Sequence, residues 1–374
     1  MAALILGSAI RTCFGDGDQT FAALLRGASG VGPLQYFDAS RLNVGFGYQI
    51  PEDGPEAMCR ASRWLAVCVR EAVDRSGLDC ASQRVVVIVG TGLRELRAVE
   101  RGAAGLGTFE TEWLHFRSAV RGALPDVSEV MTLSNACSAG GHALALAQDL
   151  LELGEADAVV AAAADGMTES MLAMIGRFAD SPTPSVRPFD RSRRGALLGE
   201  GAAAMVVVPE RDTVTGQARL LSTGMSCDAA HETVPGRDGI LRAVSEAFSR
   251  AGRTPADVDL VIAHGTGTLL NDPTEASVLH EVFGDRASQP LITGIKGALG
   301  HTSGSAALMS VDVAMRCLTH GTIPPLIGLQ DAIDEGRALR FVSPDAAHAD
   351  VRLAQVNAFG FGGVNAITLL EKAA

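Results

Sequence analysis

The sequence predicts an α/β protein of two similar halves, about 1–210 and 211–374, and three observations point there. VREAVDRSGLDCASQRVVVIVGTG at 69–92 lies over VSEAFSRAGRTPADVDLVIAHGTG at 244–267 without a gap, and 10 of the 24 positions are identical. CSAGGHAL at 137–144 lies over HTSGSAAL at 301–308, each following a strand and opening a helix. Apolar burial rests on Ala, Val and Leu, because the chain has 42 glycines but only 2 tyrosines and 2 tryptophans, a composition suited to tight turns and close backbone contact.

Local patterns define the elements in chain order. In both copies of the long repeat an amphipathic helical run stops at a glycine, and a β-branched strand follows that ends in GTG. EVMTLSNACSAGGHALALAQDLLELG reads as a strand, a small-residue turn at 134–136 and a helix from about 137 to 153. GEGAAA at 199–204 turns into a strand and not into a phosphate-cradling helix, and GTG at 90–92 lacks the spacing of a dinucleotide fingerprint, so no nucleotide cofactor is expected. AHGTGT at 263–268 ends a strand, and the helix after it carries Asp272 just before a proline in its first turn. GIKGALGHTSGSAAL at 294–308 repeats a histidine in a glycine-rich setting, and NAFGFGGVNA at 357–366 reads as the glycine-rich bend of a terminal hairpin. Asp165, Glu169 and Asp190 read as charged loop residues.

Composition excludes whole classes. At 374 residues, 47% hydrophobic and 20% charged, the chain buries a large core. No apolar run approaches the ~18 residues a membrane helix needs, and MAALILGSAIR lacks the basic start of a signal peptide, so a cytoplasmic protein is expected. A formal charge of −12 gives no basic stripe for nucleic acid. The 7 cysteines, at 13, 59, 68, 80, 137, 227 and 317, form no CxxC pair, which argues against a disulfide framework and a zinc site.

The chemistry gathers at the strand ends. Cys137 is placed at a helix N-terminus, where unpaired amides and the positive dipole end favour thiolate over thiol, and small neighbours leave room for a substrate. The repeats set His264 where the first half has Val89, and Cys137 where the second half has His301. Duplicated scaffolds diverge where chemistry is added, so one cysteine and two histidines are expected to converge. Only Lys296 and Lys372 among 31 basic residues are lysine, and Lys296 stands five positions before His301. Phe359 and Phe361 sit among glycines that can carry a moving aromatic ring or turn amides toward an oxyanion.

Together, NACSAG, HGTGT with Asp272 and Glu275 downstream, Lys296 to His301 as K-x-x-x-G-H, and FGFGGVNA resemble the elongating β-ketoacyl-acyl-carrier-protein synthases, with a Cys-His-His set. The resemblance implies the thiolase fold, two pseudo-symmetric halves in a five-layered α/β/α/β/α arrangement. It implies decarboxylative Claisen condensation of a Cys-bound acyl chain with malonyl-acyl carrier protein, in fatty acid or specialised polyketide or polyene biosynthesis. Carried over by residue, Cys137 takes the acyl group, and the amides of Cys137 and Phe361 form the oxyanion hole, Phe361 also serving as a gate. His264 and His301 bind the malonyl thioester carbonyl, Lys296, Glu275 and Asp272 support them, and Thr266, Thr268, Phe359 and Gly362 bind substrate. No metal and no redox cofactor are implied. The implied partners are an acyl carrier protein and a second subunit, in a homodimer or in a heterodimer with a ketosynthase-like chain. Two other readings keep the fold: an acyltransferase that does not elongate, and a subunit active only in a heterodimer.

Four departures from the family pattern bear on substrate choice. Arg94 and Glu95 replace a glycine pair, Arg193, Arg194, Gly195 and Ala196 stand for R-D-G-F, Asn135 replaces a threonine, and the chain is shortened between 181 and 187. Carrier proteins are acidic, so this acidic chain needs a local basic face, for which Arg60, Arg63, Arg193 and Arg194 are candidates.

Overall fold

The alternation of Val, Ile and Ala that marks the strands divides their side chains between two apolar layers. The computed structural model describes residues 2–35, 37–51, 59–178, 183–211, 215–229, 231–284 and 289–373. Ten strands form the main sheet: β1 (Ala3–Arg11), β2 (Val85–Gly90), β3 (Glu129–Leu133), β4 (Ala158–Asp165), β5 (Gly201–Pro209), β6 (Ala218–Cys227), β7 (Leu260–Ile262), β8 (Leu291–Thr293), β9 (Leu353–Gly360) and β10 (Val364–Lys372). Their spatial order is β8-β7-β9-β10-β6-β1-β5-β4-β2-β3.

Read outward from the centre, β1-β5-β4-β2-β3 and β6-β10-β9-β7-β8 are the same arrangement. In each set the strand paired with the central one is antiparallel to it, and the outer three are parallel to one another. The sets join where β1 pairs antiparallel with β6 over Ala3–Leu220, Leu4–Arg219 and Ile5–Ala218. The strands of the longer repeat therefore lie at equivalent places, at β2 and β7.

Five helices complete the layers: α1 (Arg60–Ser76), α2 (Ala139–Glu152), α3 (Arg237–Ala251), α4 (Asn271–Phe283) and α5 (Ala306–His320). Along β2, Val86 and Ile88 face a core shared with Leu144 of α2 and Leu308 of α5, whereas Val85, Val87 and Val89 face Trp64 and Leu65 of α1. The shared core also takes Leu260, Ile262 and Val356 from the second set, so α2 and α5 lie between the two sets of strands. On the far side, Leu221, Ile367 and Leu369 pack on Ile240, Val244 and Phe248 of α3. The result is the five-layered α/β/α/β/α arrangement of the thiolase fold. The α2 and α5 openings meet closely, since a Cβ on Gly140 would lie 2.9 Å from the Gly304 carbonyl oxygen. Among the described residues no helix is long and apolar enough to cross a membrane.

Candidate active site

Cys137 sits on the short turn between β3 and α2. Ala136 takes a left-handed φ of 49°, and a 3₁₀ turn over Ala136–Ser138 leads into α2. The thiol is half-buried and opens onto a cavity of 440 Å³. The backbone amides of Phe361 and of Cys137 itself donate toward its sulfur. The expected bias toward thiolate is corrected here: burial pushes the thiol up to about 11, the Asp165 carboxylate adds to the rise, and Lys296 with the two amides opposes it only in part. Iodoacetamide alkylation of Cys137, followed by peptide mass mapping, is therefore expected to rise about tenfold per pH unit from pH ~6 to ~10. A plateau near neutral pH would contradict a thiol held above its ordinary range.

His264 follows β7, and its backbone is pinned from α4. Glu275 Oε1 accepts the amide of His264 at 2.7 Å, and Oε2 accepts that of Gly265 at 2.8 Å. Asp272 accepts the amides of Phe189 at 2.6 Å and Gly267 at 3.1 Å, and burial pushes its carboxyl up to about 6. Lys296 Nζ donates to the His264 carbonyl and lies 3.3 Å from Nδ1, while the Phe359 amide donates to Nδ1 at 3.4 Å. The amide of Ser303 donates to His301 Nδ1 at 3.3 Å. With Nδ1 accepting in both rings, each keeps its proton on Nε2, the nitrogen left for the cavity. The ring centroids are 5.5 Å apart at 84°.

Burial, and then the positive charge of Lys296, lowers both histidines, His301 to about 3 and His264 well below its ordinary value. Both are neutral hydrogen-bond donors. Burial also lowers Lys296 to about 8, with Glu275 and Cys137 opposing that fall.

The cavity brings together Cys137, His264, His301, Thr266, Thr268, Phe359 and Phe361. Lys296, Glu275 and Asp272 stand behind this wall, each 2% exposed or less. Gly362 does not line the cavity, and its amide donates to the Glu232 carbonyl at 2.9 Å. Phe361 is 47% exposed at the mouth, whereas Phe359 is buried against His264, with ring centroids 5.2 Å apart. Sequence reasoning missed Asn43, Val44, Met174, Ile175, Val234 and Pro235, which line the cavity from three separate segments and carry no local motif.

Other expectations are corrected in part. Asp165 ends β4 and is fully buried, and Glu169 opens a helix with its side chain 43% exposed; Asp190 lies in a loop as expected, but is buried and accepts the amides of Gln330 and Asp331. Glu95 is buried and accepts the Ser62 amide of α1 at 2.6 Å, away from the cavity lining. Arg60 pairs with Glu200 at 3.0 Å and Arg193 donates to Thr268 O at 3.0 Å, which turns both inward. Arg63 is exposed, and Arg194 is exposed at the cavity mouth. The shortened stretch after 181 falls partly outside the described residues.

A thiol and a pair of neutral imidazoles facing one cavity suit an enzyme that holds an acyl group while a carbanion is generated beside it, a condensing acyltransferase. Comparison with known proteins gives the same class. The N-terminal domain model of β-ketoacyl synthase matches residues 127–213, and the C-terminal domain model matches residues 217–330. The 3-oxoacyl-(acyl-carrier-protein) synthase 2 of Coxiella burnetii is 30% identical, over 94% of this chain and 93% of the relative. The enzyme of the same name from Vibrio harveyi is 30% identical over 96% and 95%. The solved ishigamide ketosynthase/chain length factor superposes with a TM-score of 0.90 at 30% identity, covering 100% of this chain and 99% of that one. The chain belongs to the β-ketoacyl synthase family.

Proposed function

We propose that the protein condenses a Cys137-held acyl chain with malonyl-acyl carrier protein, and the observation that carries this is the shared cavity of Cys137, His264 and His301. Cys137 Sγ attacks the acyl thioester of a carrier protein, a new thioester forms, and the pantetheine sulfur leaves with the cysteine's proton. The malonyl thioester then loses carbon dioxide, and the electron pair of the broken C–C bond passes into an enolate whose oxygen accepts from Nε2 of His264 and His301. The enolate carbon attacks the acyl carbonyl on Cys137. The tetrahedral oxyanion rests on the amides of Cys137 and Phe361 and collapses to expel the cysteine thiolate, which takes a proton from solvent. The product is a 3-oxoacyl thioester two carbons longer. This route draws on no metal and no redox cofactor.

In this reading the half at 1–210 supplies the nucleophile and the half at 211–374 both histidines. Phe361 gates acyl entry, and Thr266 and Thr268 at the cavity wall meet the pantetheine arm. The exposed Arg194 is suited to the acidic carrier. A dimer with a second copy or a related subunit is supported by β3, whose outer edge pairs with no described strand. The place of action is the cytoplasm.

The test is intact-protein mass after incubation with a panel of acyl-carrier proteins, then with malonyl-carrier protein. An adduct discharged as a product two carbons longer is expected. An adduct that never extends would overturn condensation in favour of simple acyl transfer, and no adduct with any donor would overturn activity of this chain alone.

A further inference from the structure

Asp165 ends β4 and is 0% exposed. Its Oδ1 accepts from Thr91 Oγ1 and from the Leu93 amide, each at 2.7 Å, and its Oδ2 accepts from the amides of Gly92 at 3.0 Å and Gly304 at 2.7 Å. The first three donors belong to the turn after β2. Gly304 belongs to the turn that follows His301 and opens α5.

Three segments are pressed together at this point. A Cβ on Gly92 would lie 2.2 Å from Ser303 Oγ, 3.4 Å from Ala136 O and 3.4 Å from Gly304 N, and one on Gly304 would lie 2.7 Å from Gly92 N. The 91–93 turn is therefore wedged between the turn that carries Cys137 and the turn that follows His301. Two of these flanking residues, Ala136 at φ 49° and Ser303 at φ 52°, hold left-handed backbone that is strained for a residue with a Cβ and persists only where surrounding contacts impose it. A buried carboxylate that accepts four donors from two segments is such a contact.

We propose that Asp165 is the positioning residue that ties the His301 segment to the Cys137 segment and so sets the spacing between the two reacting groups. The inference rests on the proposed roles of Cys137 and His301. Asp165 touches no substrate; it acts through Gly304 and the 91–93 turn. Its negative charge also faces Cys137, as do Lys296, His264 and His301 from the other walls, and Glu95 beyond the 91–93 turn feels the same charge.

Asp165→Asn tests this with little change of shape. The amide has one oxygen for two sets of donors, so its NH₂ must face either the Gly304 amide or the Thr91–Leu93 set, and the tie between segments is broken. Decarboxylation of malonyl-carrier protein, which needs the histidine pair, is expected to fall about tenfold or more through misplacement alone. Alkylation of Cys137 by iodoacetamide at pH ~8 is expected to rise several-fold, because a charge that holds the thiol up is gone. A variant that matches the wild type in both readouts would overturn the proposal.

Thr91→Val removes one donor and leaves the charge, so a loss of a few-fold in decarboxylation with unchanged alkylation is expected even if Asp165→Asn does not fold. Wild-type decarboxylation in Thr91→Val would count against the proposal. Alkylation needs no acyl substrate. If the wild type decarboxylates nothing, the proposed function fails, whereas a wild type that decarboxylates beside an equally active Asp165→Asn and Thr91→Val overturns the role of Asp165 alone.

Discussion

Cys137→Ala is expected to abolish acyl loading and lower condensation by on the order of 10⁴-fold or more, while malonyl decarboxylation continues. Among the described residues the sulfur is the only cysteine thiol on the cavity wall, and without it no thioester can form to receive the enolate. Its removal leaves the imidazoles where they are, because His264 is held by Glu275, Lys296 and the Phe359 amide, and His301 by the Ser303 amide and by its own amide's bond to Leu197 O. Alanine is smaller than cysteine and the site is open to the cavity, so the change forces no repacking and the melting temperature is expected to stay near the wild-type value. Intact mass reads the loading and release of carbon dioxide from malonyl-carrier protein reads the decarboxylation. An acyl adduct on the variant would transfer the nucleophile's role to another residue. Loss of both reactions together would mean that the cysteine also organises the histidines.

Much of the fold and the centre of the site was legible because duplication leaves its mark locally. The identity between 69–92 and 244–267 records a helix and a strand whose neighbours must also match, and the two five-strand sets do share one order. Cys137, His264 and His301 stood out because each departs from its repeat partner next to glycines at a strand end. Quantities set by the whole tertiary environment did not show. The amides at the α2 opening were visible in the sequence, but the burial that outweighs them and raises the thiol was not. Asp165 looked like a charge leaving a strand, since its four donors come from segments about seventy and a hundred and forty positions away. Arg60 looked free for a carrier protein because its partner, Glu200, is equally remote in sequence. Met174, Ile175 and Val44 shape the cavity by packing, and apolar residues at those places read as ordinary core, while Asn43 joins them through a 2.9 Å bond from its side-chain amide to the Gly176 carbonyl, far away in sequence.

His264→Leu and His301→Leu are each expected to lower malonyl decarboxylation by about 10²–10³-fold while acyl loading of Cys137 stays within a few-fold of wild type, the reverse of the Cys137→Ala pattern. Loading uses the sulfur and the amides of Cys137 and Phe361, none of which these substitutions touch. Decarboxylation leaves negative charge on the thioester oxygen, and in a dry cavity that charge needs donors already in place. In the neutral rings Nε2–H is the donor because Nδ1 accepts, a tautomer that the Phe359, Lys296 and Ser303 contacts enforce. A glutamine can bring an amide N–H near the Nε2 position, so His301→Gln is expected to retain more decarboxylation than His301→Leu. The pH profile separates this account from acid catalysis by imidazolium. Protonation of His301 lies near 3 and that of His264 well below its ordinary range, so the wild-type decarboxylation rate is expected to show no step from histidine titration between pH ~5.5 and ~7.5. A rate that falls as pH rises through about 6.5, and loses that fall in His264→Leu or His301→Leu, would mean that a charged imidazole does the work.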